Sequence, residues 1–125
     1  MKLFQALLAT FLFSVSVIAS AGATFSHDVD FGDDFLHGGV SAADKSSDTK
    51  QYIGCYINAF QSNNVVICVA RNASGSSKTC MNTSPTEGML NSVASISNAS
   101  FISATINDSG VCTRILTHSN SAFIE

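Results

Sequence analysis

Residues 51–81 decide the fold, and they read QYIGCYINAFQSNNVVICVARNASGSSKTCM. Short runs of β-branched and aromatic residues alternate with polar clusters, which is the pattern of strands joined by turns. The predicted strands are Gln51–Phe60, Val65–Arg71 and Ser77–Met81. Between the second and third strands, Asn72 and Gly75 occupy the first and fourth positions of a type I turn followed by a left-handed glycine. The stretch therefore predicts consecutive antiparallel strands.

A second hairpin is predicted further along the chain. The Asn-x-Ser-Gly pattern returns at Asn107–Gly110, between the strand-like runs Ser100–Ile106 and Val111–Thr117. Because the same turn chemistry joins two apolar runs, we expect these two strands to pair directly.

A helix signal separates the two hairpins. Ser84 can cap a helix whose first residue is Pro85, and Glu87 completes a capping box. Apolar residues then recur at spacings of three and four, so we expect a helix over about Pro85–Ser95. The order of elements predicts an α+β fold: a small antiparallel sheet of about five strands with one short helix packed on it.

The beginning of the chain has the three parts of a secretory signal. Lys2 precedes the apolar run Leu3–Ile18, and small residues follow at Ala19–Ala21. We expect a cleaved signal peptide of residues 1–21, with cleavage after Ala23 as the alternative. The run is shorter than the ~20 residues of a membrane-spanning helix. These features predict a secreted or periplasmic protein with no membrane span after cleavage.

Residues 24–50 differ in composition from the rest of the chain. They contain six aspartates: Asp28, Asp30, Asp33, Asp34, Asp44 and Asp48. From Gly38 to Lys50 there is little apolar content, so we expect a mostly disordered acidic leader in front of a domain at 51–125. The alternative for part of the leader is a docked patch around Phe31, Phe35 and Leu36. Removing Lys2 leaves five of the six basic residues against nine acidic ones. That balance excludes the basic footprint that nucleic-acid binding requires.

The four cysteines lie in predicted strands, at Cys55, Cys68, Cys80 and Cys112. An exported chain meets an oxidising compartment, so two disulfides are expected, and the spacing is too long for paired zinc ligands. If the Asn72–Gly75 turn centres near Ser74, Cys68 and Cys80 face each other. This favours Cys68–Cys80 with Cys55–Cys112, and the alternative is Cys55–Cys68 with Cys80–Cys112.

A resemblance covers about residues 52–118. The motifs that carry it are Tyr52-Ile53-Gly54-Cys55, Cys68-Val69-Ala70-Arg71-Asn72 with Gly75, Cys80, and Gly110-Val111-Cys112-Thr113. Together they resemble a group of short exported bacterial proteins with four cysteines, in which Asp is expected where Asn72 stands. The resemblance implies bacterial export and paired cysteines, and it assigns no functional residue.

The acidic leader contains candidate metal ligands. Its oxygen and imidazole donors are Asp28, Asp30, Asp33 and Asp34, with His27 and His37 beside them. The calcium-loop pattern, with Gly at position six and Glu at position twelve, is missing. We therefore expect a solvated acidic tail, and no metal or other cofactor.

No catalytic residue is predicted. His118 is the single histidine of residues 51–125, and no Gly-x-Ser-x-Gly nucleophile elbow is present. Arg71 and Arg114 would form an anion-binding pair if their strands were neighbours, and otherwise would be exposed strand arginines. Convergence of both arginines with Asp108 and His118 in one pocket would favour an enzyme.

These observations favour a non-enzymatic, inhibitor-like or other binding module, whose partner is an extracellular or periplasmic protein. Two alternatives remain open. One is a secreted enzyme or toxin without a recognisable motif, and the other is a structural envelope protein.

Overall fold

The computed structural model describes residues 24–124, so the predicted signal peptide lies outside the described residues. The elements, in chain order, are β1 (Asp30–Phe31), β2 (Phe35–Gly39), α1 (Val40–Asp44), β3 (Tyr52–Ala59), β4 (Asn64–Arg71), β5 (Ser77–Asn82), α2 (Glu87–Ala94), β6 (Ser100–Ile106), β7 (Cys112–Ser119) and a short 3-10 helix (Ser121–Phe123). No helix within residues 24–124 is long and apolar enough to cross a membrane.

The strands form two antiparallel sheets rather than the single sheet of about five strands that the sequence predicts. Sheet A has the order β1-β2-β6-β7, and sheet B has the order β3-β4-β5. The strand-rich, disulfide-linked character is confirmed, with two short helices instead of one. The expectation of one sheet was wrong because strands from the leader extend the β6–β7 hairpin into a separate layer.

One hydrophobic core lies between the two sheets. Leu36 and Ile102 from sheet A and Val66 from sheet B are completely inaccessible to solvent. β2 lies against β3 and β4, and β7 lies against β4 and β5. Helix α2 closes one side of this core with Met89 and Val93. Because inward residues alternate with outward ones, each sheet also has an outer face.

Both predicted hairpin turns are confirmed. In the β4–β5 turn, Gly75 has φ +91° and donates its N–H to the Asn72 carbonyl at 2.9 Å. In the β6–β7 turn, Gly110 has φ +77° and donates to the Asn107 carbonyl at 2.9 Å. Each asparagine side chain accepts further backbone N–H groups. Glycine is required at both positions because an L side chain is strained at such φ values.

Helix α2 begins two residues later than the sequence indicates. Thr86 is the N-cap, and its hydroxyl accepts the N–H of Met89 at 3.3 Å. Ser84, the predicted cap, instead donates its backbone N–H to the side chain of Asn82 at 2.8 Å. This asparagine turn keeps Ser84 outside the helix and moves the first helical turn beyond Pro85.

The structure also differs from the expectation of a disordered leader. Within residues 24–50 it contains β1, β2 and α1, and β2 lies in the interior of sheet A, between β1 and β6. The chain at Val29 passes close to β2 at Gly38. A Cβ at position 38 would lie 3.0 Å from the Cα of Val29, so glycine makes this close approach possible. The segment does not need a core of its own, because β2 pairs with β6 and buries Leu36 in the core between the two sheets.

The disulfides are Cys55–Cys68 and Cys80–Cys112, so the favoured pairing was wrong and its alternative is the one observed. Cys68 and Cys80 do face each other across β4 and β5. However, Cys55 faces Cys68 from the other side, on β3. A bond from Cys55 to Cys112 would have to cross β4, because sheet B has the order β3-β4-β5 and Cys112 approaches from the β5 side.

Candidate functional site

The outer face of sheet B is the candidate functional surface. Its central row crosses all three strands as Tyr56, Ile67 and Met81, which are register partners. Paired residues of an antiparallel sheet point to the same side. We call this surface the tyrosine face, and define it by Tyr52, Tyr56, Ile67, Val69, Arg71 and Met81.

Large side chains on the tyrosine face are accessible to solvent. Tyr52 is 52% exposed, Tyr56 46% and Met81 44%. Ile67, which lies between Tyr56 and Met81, is 9% exposed. Aromatic residues and methionine are enriched at protein interfaces, and exposed side chains of this size lose much surface to water when a partner covers them.

Tyr52 lies flat on the sheet because residue 54 is glycine. A Cβ at Gly54 would be 2.9 Å from the Tyr52 hydroxyl and 3.4 Å from the ring carbon that carries it. The missing side chain therefore makes room for the ring over the backbone of β3. In this position the ring is packed on one side and open to solvent on the other.

Arg71 supplies the charge of the tyrosine face. It is the register partner of both Tyr52 and Ser77, and its Nε donates to the Ser77 hydroxyl at 3.2 Å. No carboxylate among the described residues pairs with this guanidinium. An exposed, positioned guanidinium beside aromatic rings can bind a carboxylate of a partner.

The two arginines proposed as an anion-binding pair lie in different sheets. Arg71 is on β4 in sheet B, and Arg114 is on β7 in sheet A, opposite Thr105. Their strands are not neighbours within a sheet, so the condition for that pair is not met. Arg71 remains as a single cationic group of the tyrosine face.

The residues named for an enzyme site do not converge either. Asp108 is in the turn before β7, and His118 lies near the opposite end of that strand. The His118 ring packs edge-on against Phe123 at 5.5 Å and lies within hydrogen-bond distance of Asn120, 3.3 Å from its amide nitrogen. Arg71 is in the other sheet. The structure therefore brings no three of the four together in one pocket.

The acidic residues that are candidate metal ligands are dispersed. Asp30 faces His37 across β1 and β2, and Asp28 is 3.5 Å from the side-chain amide of Gln51. Asp33 and Asp34 follow β1 in the connection to β2. Within residues 24–124, no three carboxylate or imidazole groups lie close enough together to hold a metal ion.

Sequence reasoning missed a cluster of rings that involves all three histidines of the chain. Its members are Phe25, His27, Phe35, His37, Phe101, His118 and Phe123. The ring of Phe101 lies 5.1 Å from that of His27 and 5.9 Å from that of Phe123. The backbone N–H of Phe25 also donates to the Ala122 carbonyl at 2.7 Å. Both ends of the described chain thus meet on the outer side of sheet A.

A cleft of about 190 Å³ lies between α1 and the start of β3. It is lined by Val40, Ala43, Asp44, Gln51, Tyr52 and Ile53. Pockets that enclose small molecules usually measure ~300–1,000 Å³. The cleft is therefore too small for a typical substrate, and Asp44 is the one carboxylic acid in its lining.

The three comparisons with known proteins give no match: no family model, no curated protein and no solved structure is significantly similar to the chain.

Proposed function

We propose that the protein is an exported, non-enzymatic binding module that contacts a protein partner through the tyrosine face. The observation that carries this proposal is the row Tyr56–Ile67–Met81 on the outer face of sheet B, with Tyr52 beside it. Exposed aromatic side chains and a charged guanidinium on one rigid surface are the composition of interaction hot spots.

The rigidity of sheet B supports this function. β4 is paired on both sides, and the Cys55–Cys68 disulfide joins it to β3 directly beneath the tyrosine face. A surface that is ordered before binding loses less conformational entropy when the partner docks. The tyrosines themselves have few rotatable bonds, which lowers that loss further.

The chemistry of the face indicates the kind of partner. An apolar patch on an extracellular or periplasmic protein would cover Tyr56, Ile67 and Met81, and a carboxylate beside that patch would meet Arg71. Export agrees with the predicted signal peptide, the two disulfides and the resemblance to exported bacterial proteins. Inhibitor-like activity would follow if the covered patch contained the partner's own active site.

The test compares two double variants of the oxidised protein. Tyr52→Ser/Tyr56→Ser removes two side chains of the face, and Phe25→Ser/Ile124→Ser removes two that are equally exposed, 55% and 52%, but lie elsewhere. Wild-type protein is used to capture a partner from the culture medium of its own cells. The captured protein is then purified, and its affinity for each variant is measured.

We expect the tyrosine variant to bind at least about thirtyfold more weakly, as removal of two hot-spot residues does, and the control variant to bind as wild type does. An equal loss of affinity in both variants would contradict the proposal. Failure to capture any protein at high bait concentration would contradict it as well. Self-association of the wild type that disappears in the tyrosine variant would also contradict it, and would favour a structural envelope protein.

A further inference from the structure

The two disulfides of the core are close enough to act as one cluster of sulfur atoms. The Sγ atoms of Cys68, Cys80 and Cys112 all lie within 4.8 Å of one another, although Cys68 belongs to a different disulfide from the other two. Cys68 is also the register partner of Cys80. A third pairing, Cys68–Cys80, is therefore available without any shift of β4 against β5.

The four cysteines differ in their accessibility. Cys68 and Cys112 are completely buried and Cys80 is 1% exposed, whereas Cys55 is only partly buried on β3, an edge strand of sheet B. A small thiol in solution therefore meets Cys55 first. Attack on this sulfur leaves the thiolate on Cys68, beside the second disulfide.

We infer that the two disulfides form a single thiol–disulfide exchange site, opened at Cys55 by a small external thiol. In the first step the external thiolate bonds to Cys55 Sγ, the Cys55–Cys68 bond breaks, and Cys68 leaves as a thiolate. In the second step Cys68 Sγ bonds to Cys80 Sγ, the Cys80–Cys112 bond breaks, and Cys112 leaves as a thiolate. One external thiol becomes a mixed disulfide on Cys55, and one protein thiol is left at Cys112, so the redox balance is preserved.

This exchange changes which parts of the fold are cross-linked. Cys80–Cys112 joins sheet B to sheet A, whereas Cys68–Cys80 lies within sheet B. After the second step no disulfide joins the two sheets, and the main chain is their remaining covalent connection. Two hydrogen bonds also join the chain at this junction: the Met81 N–H donates to the Gly110 carbonyl at 3.1 Å, and the Asn82 side-chain amide donates to the Cys112 carbonyl at 2.8 Å.

The positions of the basic residues make the exchange easy to detect with trypsin. Cleavage after Lys50, Arg71, Lys78 and Arg114 places Cys55 and Cys68 in peptide 51–71, and Cys80 and Cys112 in peptide 79–114. Neither native disulfide joins these two peptides. The Cys68–Cys80 bond does join them, so the cross-linked pair is specific to exchange.

The wild-type protein is treated with limiting reduced glutathione at pH 8, quenched with acid and an alkylating agent, and digested without reduction. We expect peptides 51–71 and 79–114 to be cross-linked, with glutathione on Cys55 and the alkyl group on Cys112. Alkylated Cys68 with an intact Cys80–Cys112 bond would overturn the inference. Cleavage of Cys80–Cys112 before any modification of Cys55, or no reaction under these conditions, would overturn it as well.

Cys55→Ser provides a second test, because it leaves the Cys68 thiol beside the Cys80–Cys112 disulfide without any added reagent. We expect the same cross-linked peptides, formed at a rate that does not depend on protein concentration, since the step is intramolecular. The variant Cys55→Ser/Cys68→Ser has no attacking thiol and should show none. If Cys55→Ser keeps its native circular dichroism and shows no cross-link at pH 8, the inference fails. If it unfolds, the wild-type experiment decides.

Discussion

At the scale of single residues, the carboxylate of Asp48 organises the junction between α1 and β3. It accepts hydrogen bonds from the side-chain amide of Gln51 at 2.7 Å, from the Lys50 N–H at 2.8 Å and from the Gln51 N–H at 3.0 Å. Gln51 in turn accepts the N–H of Val29 at 2.7 Å. One carboxylate thus orients the side chain that attaches the leader to β3.

These donors give the junction a predictable dependence on pH. The Gln51 amide, followed by the Lys50 N–H, holds the pKa of Asp48 below its usual value of 3.8. A carboxyl whose pKa is lower in the folded state stabilises the fold above about pH 4, and this contribution is lost as the pH falls through the folded value. Asp48→Asn should therefore reduce stability at pH 7 and narrow the difference in stability between pH 7 and pH 3.

Denaturant unfolding at both pH values checks this prediction. Gln51→Met is the companion variant, because it removes the main donor and should narrow the difference in the same direction. A pH dependence in Asp48→Asn as steep as in wild type would show that another carboxyl is responsible.

At the scale of the elements, the start of α2 offers a sharp comparison. Thr86→Ala removes the hydroxyl that accepts the Met89 N–H, so it should lower the free energy of unfolding by about 1 kcal/mol. Ser84→Ala leaves the cap in place and should change the free energy of unfolding by less than about 0.5 kcal/mol. Urea titration of both variants tests this, and the reverse order of effects would place the N-cap at Ser84.

Strand β2 contributes Leu36 to the core between the sheets. Leu36 is completely buried, so Leu36→Ala should destabilise the protein by about 2–5 kcal/mol. Leu116→Ala, on the outer side of β7, should cost under about 1 kcal/mol. Thermal and urea unfolding measure both effects. A neutral Leu36→Ala would mean that the leader does not contribute to the core.

Local chemistry explains which elements could be predicted from the sequence. The hairpins at Asn72 and Asn107 are encoded within five residues, because the asparagine side chain and the glycine determine the turn. The sequence pattern placed the N-cap of α2 at the wrong residue. The side chain of Asn82, which lies outside the capping motif, accepts the backbone N–H of Ser84. Strand β2 carries little apolar signal, since its inward side consists of Leu36 and Gly38, and its partner β6 is distant in sequence.

The tyrosine face could likewise be predicted from the sequence only in part. The apolar character of β3 and β4 can be read from the sequence, but which side of sheet B faces solvent depends on sheet A, whose assembly involves the leader. The ring cluster on the other sheet was missed for a similar reason. It joins His27, His37 and Phe101 across long separations, and no local pattern connects them.

In the whole molecule, the two sheets share one core and are cross-linked by one disulfide, Cys80–Cys112. Each disulfide should stabilise the fold by about 2–4 kcal/mol, which is a large share of the stability of so small a domain. Cys68 has a cysteine opposite it on both neighbouring strands, so hairpin geometry alone could not select its partner. The parallel bridge between Met81 and Val111 decides the pairing, because it brings Cys112 to Cys80.

A tryptic mass map of the untreated protein, alkylated in acid and digested without reduction, shows directly which cysteines are paired. We expect peptides 51–71 and 79–114 to be recovered separately, each two hydrogen atoms lighter than its fully reduced form and neither alkylated. Recovery of the two peptides joined to each other, or of four alkylated cysteines, would contradict the two-layer structure and the link between its sheets.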